Sequence, residues 1–208
     1  MGKRHVRAML RKMSSGERVA IARSAGSIGS LARLASVAEQ FGYAYAGAGL
    51  GGFKSEQLML ELVPDPGPEA QARAERNRAL YPNAGDGVSL PPLVREEVEL
   101  LKARISFDFA SQYTAKQRLA LGLPVATVLA AAPCIRFGPH STATLVAVIL
   151  WAVFMLLVPV GLASVRRARA RYGAQLAAAG FTPVTDELGR LRYVSPGGPL
   201  PRRGNPVA

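Results

Sequence analysis

LVAVILWAVFMLLVPVGLA, residues 145–163, contains no polar side chain. A helix of that composition has no face suited to water, so lipid is its natural solvent. Twelve of its residues are Leu, Ile, Val or Phe, each favouring insertion by roughly 0.3–0.6 kcal/mol, a gross drive of about 4–7 kcal/mol. Pro159 and Gly161 reduce that drive without reversing it. With its flanks the apolar stretch runs from Thr142 to Val165, 24 residues, or about 36 Å of helix against roughly 30 Å of hydrocarbon.

A second apolar arm, Leu119–Ile135, precedes it. Between Leu119 and Val165 the one permanent charge is Arg136, and the one imidazole is His140, both in the short stretch that separates the arms. The pattern predicts a transmembrane hairpin over 119–165, with spans at 119–135 and 142–165. The first arm is 17 residues long and has seven strongly apolar residues, giving roughly 2–4 kcal/mol before Gly122, Pro124 and Pro133 are counted. Gly122, Ala126 and Ala130 recur at i, i+4 and i+8, a small-residue stripe on which the second arm is expected to pack. The competing reading is a soluble all-α core. A continuous apolar 19-mer argues against it, because amphipathic helices would serve a soluble core as well. Neither arm has the N-terminal position of a cleaved signal peptide.

Cations flank the hairpin unevenly. Arg104, Lys116 and Arg118 precede it, Arg166, Arg167, Arg169 and Arg171 follow it, and the turn holds only Arg136. The positive-inside rule then expects a multi-pass protein of the cell membrane with both termini cytoplasmic. The net charge of +12 suits a chain drawn to anionic lipid, nucleic acid or acidic partners, and does not choose among them. Of 26 basic residues 21 are Arg, a skew that fits GC-rich coding better than selection for guanidinium chemistry. The lone Cys134 excludes an intramolecular disulfide.

Residues 1–63 read as a basic, mostly helical cytoplasmic region. Val6, Met9, Leu10 and Met13 fall at i, i+3, i+4 and i+7, with Lys3, Arg4, Arg7, Arg11 and Lys12 on the remaining surface, the pattern of a basic amphipathic helix. Three readings are open for it: the cations and apolar anchors hold it on an anionic leaflet; it packs on the cytoplasmic region and shows a solvated basic face; or it belongs to a nucleic-acid binder or transit peptide. Nucleic acid is the disfavoured partner, since no aromatic residue precedes Phe41. Ser14 and Glu17 fit a capping box opening a second helix, whose apolar stripe is Leu31, Leu34, Ala35 and Ala38. Residues 42–52 read as a glycine-rich hinge, with Tyr43 to Ala46 a poor strand. Glu56–Val63 is a short helix or strand.

Residues 64–92 form a Pro/Gly-rich linker with a short helix from Pro68 to Leu80, and 93–118 a cytoplasmic helix leading to the membrane. Beyond the hairpin, 166–194 holds a helix ending at Gly180 and a β-hairpin made of 181–185 and 190–194, its turn containing Gly189. Two strands are not stable alone, so the hairpin must dock on another part of the chain or on a partner. Residues 195–208 read as a disordered tail.

No catalytic constellation emerges. Gly47, Gly49 and Gly52 satisfy the spacing of a dinucleotide loop, but no βαβ unit surrounds them, and Phe53 stands where a phosphate loop needs Lys. His5 and His140 are expected on opposite sides of the membrane, and neither has metal-ligand spacing to Cys, Asp or Glu. No ionisable group lies inside either span, as proton-coupled transport would ordinarily need. The expectation is a mainly α-helical integral membrane protein without catalytic, cofactor or metal residues. Its expected role is a membrane-anchored, non-enzymatic adaptor or scaffold, or else an accessory subunit of a transport, secretion or translocation complex. Its partners would be the bilayer and other membrane proteins, with oligomers open. Lys3, Arg4, Arg7, Arg11 and Lys12 would contact the lipid surface, and Gly122, Ala126 and Ala130 would pack the spans.

Overall fold

The computed structural model describes residues 2–23, 26–51, 57–112, 115–138, 141–185 and 190–195. The chain is mainly helical, with two small antiparallel sheets and one long apolar helix. It divides into two compact units. The first combines residues 1–112 with 172–208, and the second is 113–171.

The first unit opens with helix α1 (Lys3–Met13), which buries Val6, Met9 and Met13 and leaves its cations exposed. The capping box expected at Ser14 does not open a helix. Ser14 instead ends α1, with its N–H donating to the Leu10 carbonyl. Gly16 then turns the chain at φ 71°, and strand β1 (Val19–Arg23) follows. β1 alternates buried Val19 and Ile21 with exposed Ala20 and Ala22, a period of two. The second helix starts later, as α2 (Ile28–Gln40), where the Ser27 hydroxyl accepts the Ser30 N–H. Leu31, Leu34, Ala35 and Ala38 lie within it, fully buried.

The glycine-rich hinge expected at 42–52 is, over the described residues, an edge strand, β2 (Tyr43–Gly51). Local propensity argues against a strand of Ala and Gly. Tertiary contacts decide otherwise: Tyr43 and Tyr45, two residues apart, are both buried, and β2 pairs along its length with the apolar strand β3 (Gln57–Pro64). The sheet order is β1-β3-β2, with a bulge between Tyr45 and Gly47. The region expected to be mostly helical is therefore mixed, with three strands beneath its helices.

Helix α3 (Pro68–Leu80) starts on Pro68, as expected, and buries Ala70 and Ala74. It is tied to α2 by Asn77, whose Nδ2 donates to the Gln40 carbonyl at 2.8 Å, so this stretch is no free linker. A 3-10 turn over 82–86 follows, within what was expected to be loop. Helix α4 (Arg95–Ser111) packs on α2 and β2. The single helix expected over 93–118 thus ends at Ser111, and the next begins at Ala115.

The second unit holds helix α5 (Ala115–Phe137) and most of helix α6 (Thr142–Ala178). α5 ends at Gly138, φ 84°, whose N–H donates to the Cys134 carbonyl. α6 starts on Ser141, whose hydroxyl accepts the Thr144 N–H, while the Thr144 hydroxyl donates back to the Gly138 carbonyl at 2.8 Å. A polar knot thus closes the turn. α6 is the one helix among the described residues long and apolar enough to cross a membrane, and none of its most apolar window is buried.

α6 continues past the apolar segment to Ala178, as expected, and stops at Gly180, φ 83°. The Phe181 N–H donates to the Leu176 carbonyl and the Gly180 N–H to that of Ala177, a Schellman motif. Strands β4 (Thr182–Thr185) and β5 (Leu191–Val194) form the expected antiparallel hairpin. Its turn, with Gly189, and the tail from 196 lie outside the described residues.

Candidate functional site

Three features could carry function, and each sits within one unit. The first is the α1 surface. Val6, Met9 and Met13 join the same core as Leu31, Leu34, Leu60 and Leu62, with Leu10 packed against it. The apolar stripe is therefore not available to enter lipid, which removes the inserted-anchor version of the membrane reading. The cations of Lys3, Arg4, Arg7, Arg11 and Lys12 are all exposed. The Arg7 guanidinium donates to the Asp86 carbonyl at 3.1 Å and Lys12 Nζ to the Ala20 carbonyl at 3.3 Å.

The second is the α5–α6 pair. Leu119, Gly122, Ala126 and Ala130 are half-buried while Leu123, Val125, Val128 and Leu129 are exposed. On α6 the buried or half-buried positions Thr144, Ala147, Met155, Val158, Leu162 and Val165 lie three, four or eight residues apart, steps that keep to one face of a helix. At one end an apolar cavity of about 360 Å³ opens among Leu119, Gly122, Phe154, Val158, Gly161 and Val165. A methyl group added at Gly122 or at Gly161 would meet no atom within 4 Å.

The third is a buried polar junction in the first unit, which the sequence reading missed. The Tyr45 hydroxyl donates to the Asp108 carboxylate at 2.7 Å. The Arg104 guanidinium is buried and stacks between Tyr45, 4.8 Å from the ring centre, and Phe181, at 5.1 Å. Arg192 of β5 donates to the Ala46 carbonyl at the bulge of β2. Phe107 and Tyr193 meet edge to face at 4.9 Å.

Burial dominates the electrostatics of this junction. It pushes the Glu39 carboxyl up to about 7, against the attraction of Arg104 and Arg73 and with the repulsion of Glu97 adding to it. Burial likewise raises the Asp108 carboxyl, although the Tyr45 hydrogen bond and Arg192 pull it down, and it holds the Tyr45 hydroxyl well above its ordinary range. The Tyr45 hydroxyl and the Arg192 guanidinium find partners within the fold, while the buried Arg104 Nε has none among the described residues. The clue in sequence was Asp108 itself, an acid set between Phe107 and Phe109.

Gly47 and Gly49 lie in β2, paired with Glu61 and Met59, Gly52 lies outside the described residues, and the next described element is the strand β3 and not a helix whose N-terminus could receive a phosphate. Among the described residues no group of three His, Cys, Asp or Glu could hold a metal ion. His5 is exposed on α1, and His140 lies outside the described residues. No protein-family model matches the chain, and neither the curated proteins nor the solved structures yield a match.

Proposed function

We propose that this protein is a two-pass membrane anchor carrying a folded cytoplasmic unit, and that it works as a non-enzymatic adaptor or scaffold. One observation carries the two-pass reading. Ala103 and Phe107, which precede the apolar segment, form one buried cluster with Leu176, which follows it, flanked by Tyr172, Phe181 and Tyr193. A unit assembled from both flanks has to lie on one side of a bilayer. If α6 crosses once, the chain must cross a second time between Gln112 and Thr142, and α5 is the helix in that interval. Its 23 residues reach about 35 Å, enough for the hydrocarbon. The uneven cation distribution supports a cytoplasmic side for the folded unit and both termini.

The adaptor reading follows from what that unit offers: exposed basic segments, a polar junction consumed by packing, and no described catalytic or metal constellation. A second reading, an accessory subunit of a transport, secretion or translocation complex, is favoured by one feature. Gly122 and Gly161 line a cavity that their own chain leaves open, and glycines in membrane helices commonly admit a neighbouring helix closely.

Topology mapping tests the first claim. In sealed inverted and right-side-out vesicles, tags at residue 1 and residue 208 should be accessible from the same side, and the chain should resist alkaline carbonate extraction. Tags reachable from opposite sides would refute the two-pass reading. Mild-detergent purification then separates the two roles: co-purifying multi-span proteins favour the accessory subunit.

A further inference from the structure

Helix α1 is electrostatically mismatched to itself. Its 11 residues include no acid, and Arg4, Arg7 and Arg11 recur along one ridge, with Lys3 beside them, at spacings where like charges oppose helix formation. Lys3 and Arg4 also sit in the first turn, which has no acidic residue and no side-chain cap, so they repel the positive end of the helix dipole. No ion pair to them is found among the described residues: Arg7 and Lys12 donate to backbone carbonyls, Arg7 to that of the acidic Asp86, and the ion pair of Lys102 with Glu99 lies on α4. Val6, Met9 and Met13 meanwhile fix the helix rigidly on the core. What remains outward is a ridge of cations about 13 Å long that calls for a counter-charge.

From this we infer that α1 is a docking face for the phosphate-bearing surface of an anionic bilayer, acting as a rigid electrostatic pad and not as an inserted amphipathic helix. The inference rests on the membrane-anchor reading above, because the spans keep α1 tethered near lipid and multiply weak contacts. The cations fan out along the helix instead of converging on one point, which suits an extended charged plane better than a discrete anion. No aromatic residue lies within α1 to stack on a base.

The test uses the full chain with Cys134→Ser and a fluorophore on Ala8→Cys, an exposed position of α1. The protein is reconstituted into vesicles of phosphatidylcholine, with or without phosphatidylglycerol, that carry a nitroxide quencher on the headgroups. Quenching should be several-fold stronger in the anionic vesicles and should fall as salt is raised. Lys3→Gln, Arg4→Gln and Arg11→Gln should each lower the docking equilibrium about fivefold, with Arg7 and Lys12 retained because they hold the Asp86 and Ala20 carbonyls. Equal quenching in both vesicles, or release of the probe by stoichiometric duplex RNA, would overturn the inference while leaving the anchor intact. A chain that fails to float with either vesicle after a carbonate wash would overturn the anchor and the inference with it.

Discussion

The Tyr45 hydroxyl and the Asp108 carboxylate meet at 2.7 Å, joining the edge strand β2 to helix α4 across 63 residues of sequence. Tyr45 is buried and Asp108 half-buried, so the pair cannot exchange each other for solvent freely. Tyr45→Phe should destabilise the folded unit by about 1–3 kcal/mol, because it strands a half-buried acceptor. Asp108→Asn, whose amide oxygen still accepts the hydroxyl, should cost less. Thermal unfolding of the full chain in mild detergent measures both, and equal losses would mean that the carboxylate's charge beside Arg192 and Arg104, and not the hydroxyl hydrogen bond alone, is what the unit needs.

Glu39 gives the unit a pH dependence of defined sign. Its carboxyl is pushed from 4.5 up to about 7 by burial, so the folded state holds the proton more tightly than the unfolded chain. Stability from this group is complete below about 4.5 and is lost as pH rises through about 7, a span of roughly 3 kcal/mol at most. Asp108 is shifted in the same direction and adds to the trend at its lower end. Glu39→Gln should therefore raise stability at pH 8 and flatten the decline between pH 5 and 8. Unfolding midpoints across that range check it, and a slope unchanged by the substitution would refute the assignment.

Some of this architecture is legible in the chain and some is not, for physical reasons. The apolar run of α6, its basic continuation and its stop at Gly180 can be read directly, because each depends on residues within one or two turns. Pro68 announces α3 for the same reason. β2 cannot be read, because Ala and Gly dominate it and its strand state depends on distant partners: β3 for its backbone, the Met13 carbonyl for the Tyr43 hydroxyl, and Asp108 for Tyr45. The Ser14 to Glu17 spacing misleads because a capping box is a local preference, and here the chain is needed as β1 beside β3. The polar junction is hidden because its members lie on α2, β2, α4 and β5. The α1 cations, by contrast, are fully legible as an amphipathic pattern, and only the core could reveal that the apolar half is occupied.

Gly87 fixes how α1 docks. It has φ 66°, and a Cβ there would stand 2.7 Å from the Lys3 backbone carbonyl. Backbone cannot retreat as a flexible side chain can, and the left-handed conformation adds its own penalty for any residue with a Cβ. Gly87→Ala should cost about 1–3 kcal/mol and increase amide hydrogen exchange across residues 3–13. Gly85→Ala, where an added methyl meets nothing within 4 Å, is the control and should leave α1 protected. Equal exchange in the two variants would show that the 3-10 turn does not hold the helix.

The solvent around α6 decides the largest claim, and charge is the way to ask. Leu150 and Val153 are both exposed in the folded chain, at 64% and 47%, near the middle of the apolar run. If that surface faces lipid, Val153→Arg should reduce insertion by about 2.5–3.5 kcal/mol, which consumes much of the 4–7 kcal/mol available, and adding Leu150→Arg should exhaust it. The double variant should then leave the carbonate-resistant membrane fraction, while Arg167→Lys and Arg171→Lys, at exposed positions beyond the apolar run, should change nothing. If instead water surrounds the helix, arginines at exposed positions cost only tenths of a kcal/mol and improve solubility, and the parent chain would already be found in the aqueous fraction. The two surroundings therefore differ in whether the arginines move the chain between fractions: with lipid around α6 the parent is membrane-bound and the double variant is not, and with water both are found in the aqueous fraction.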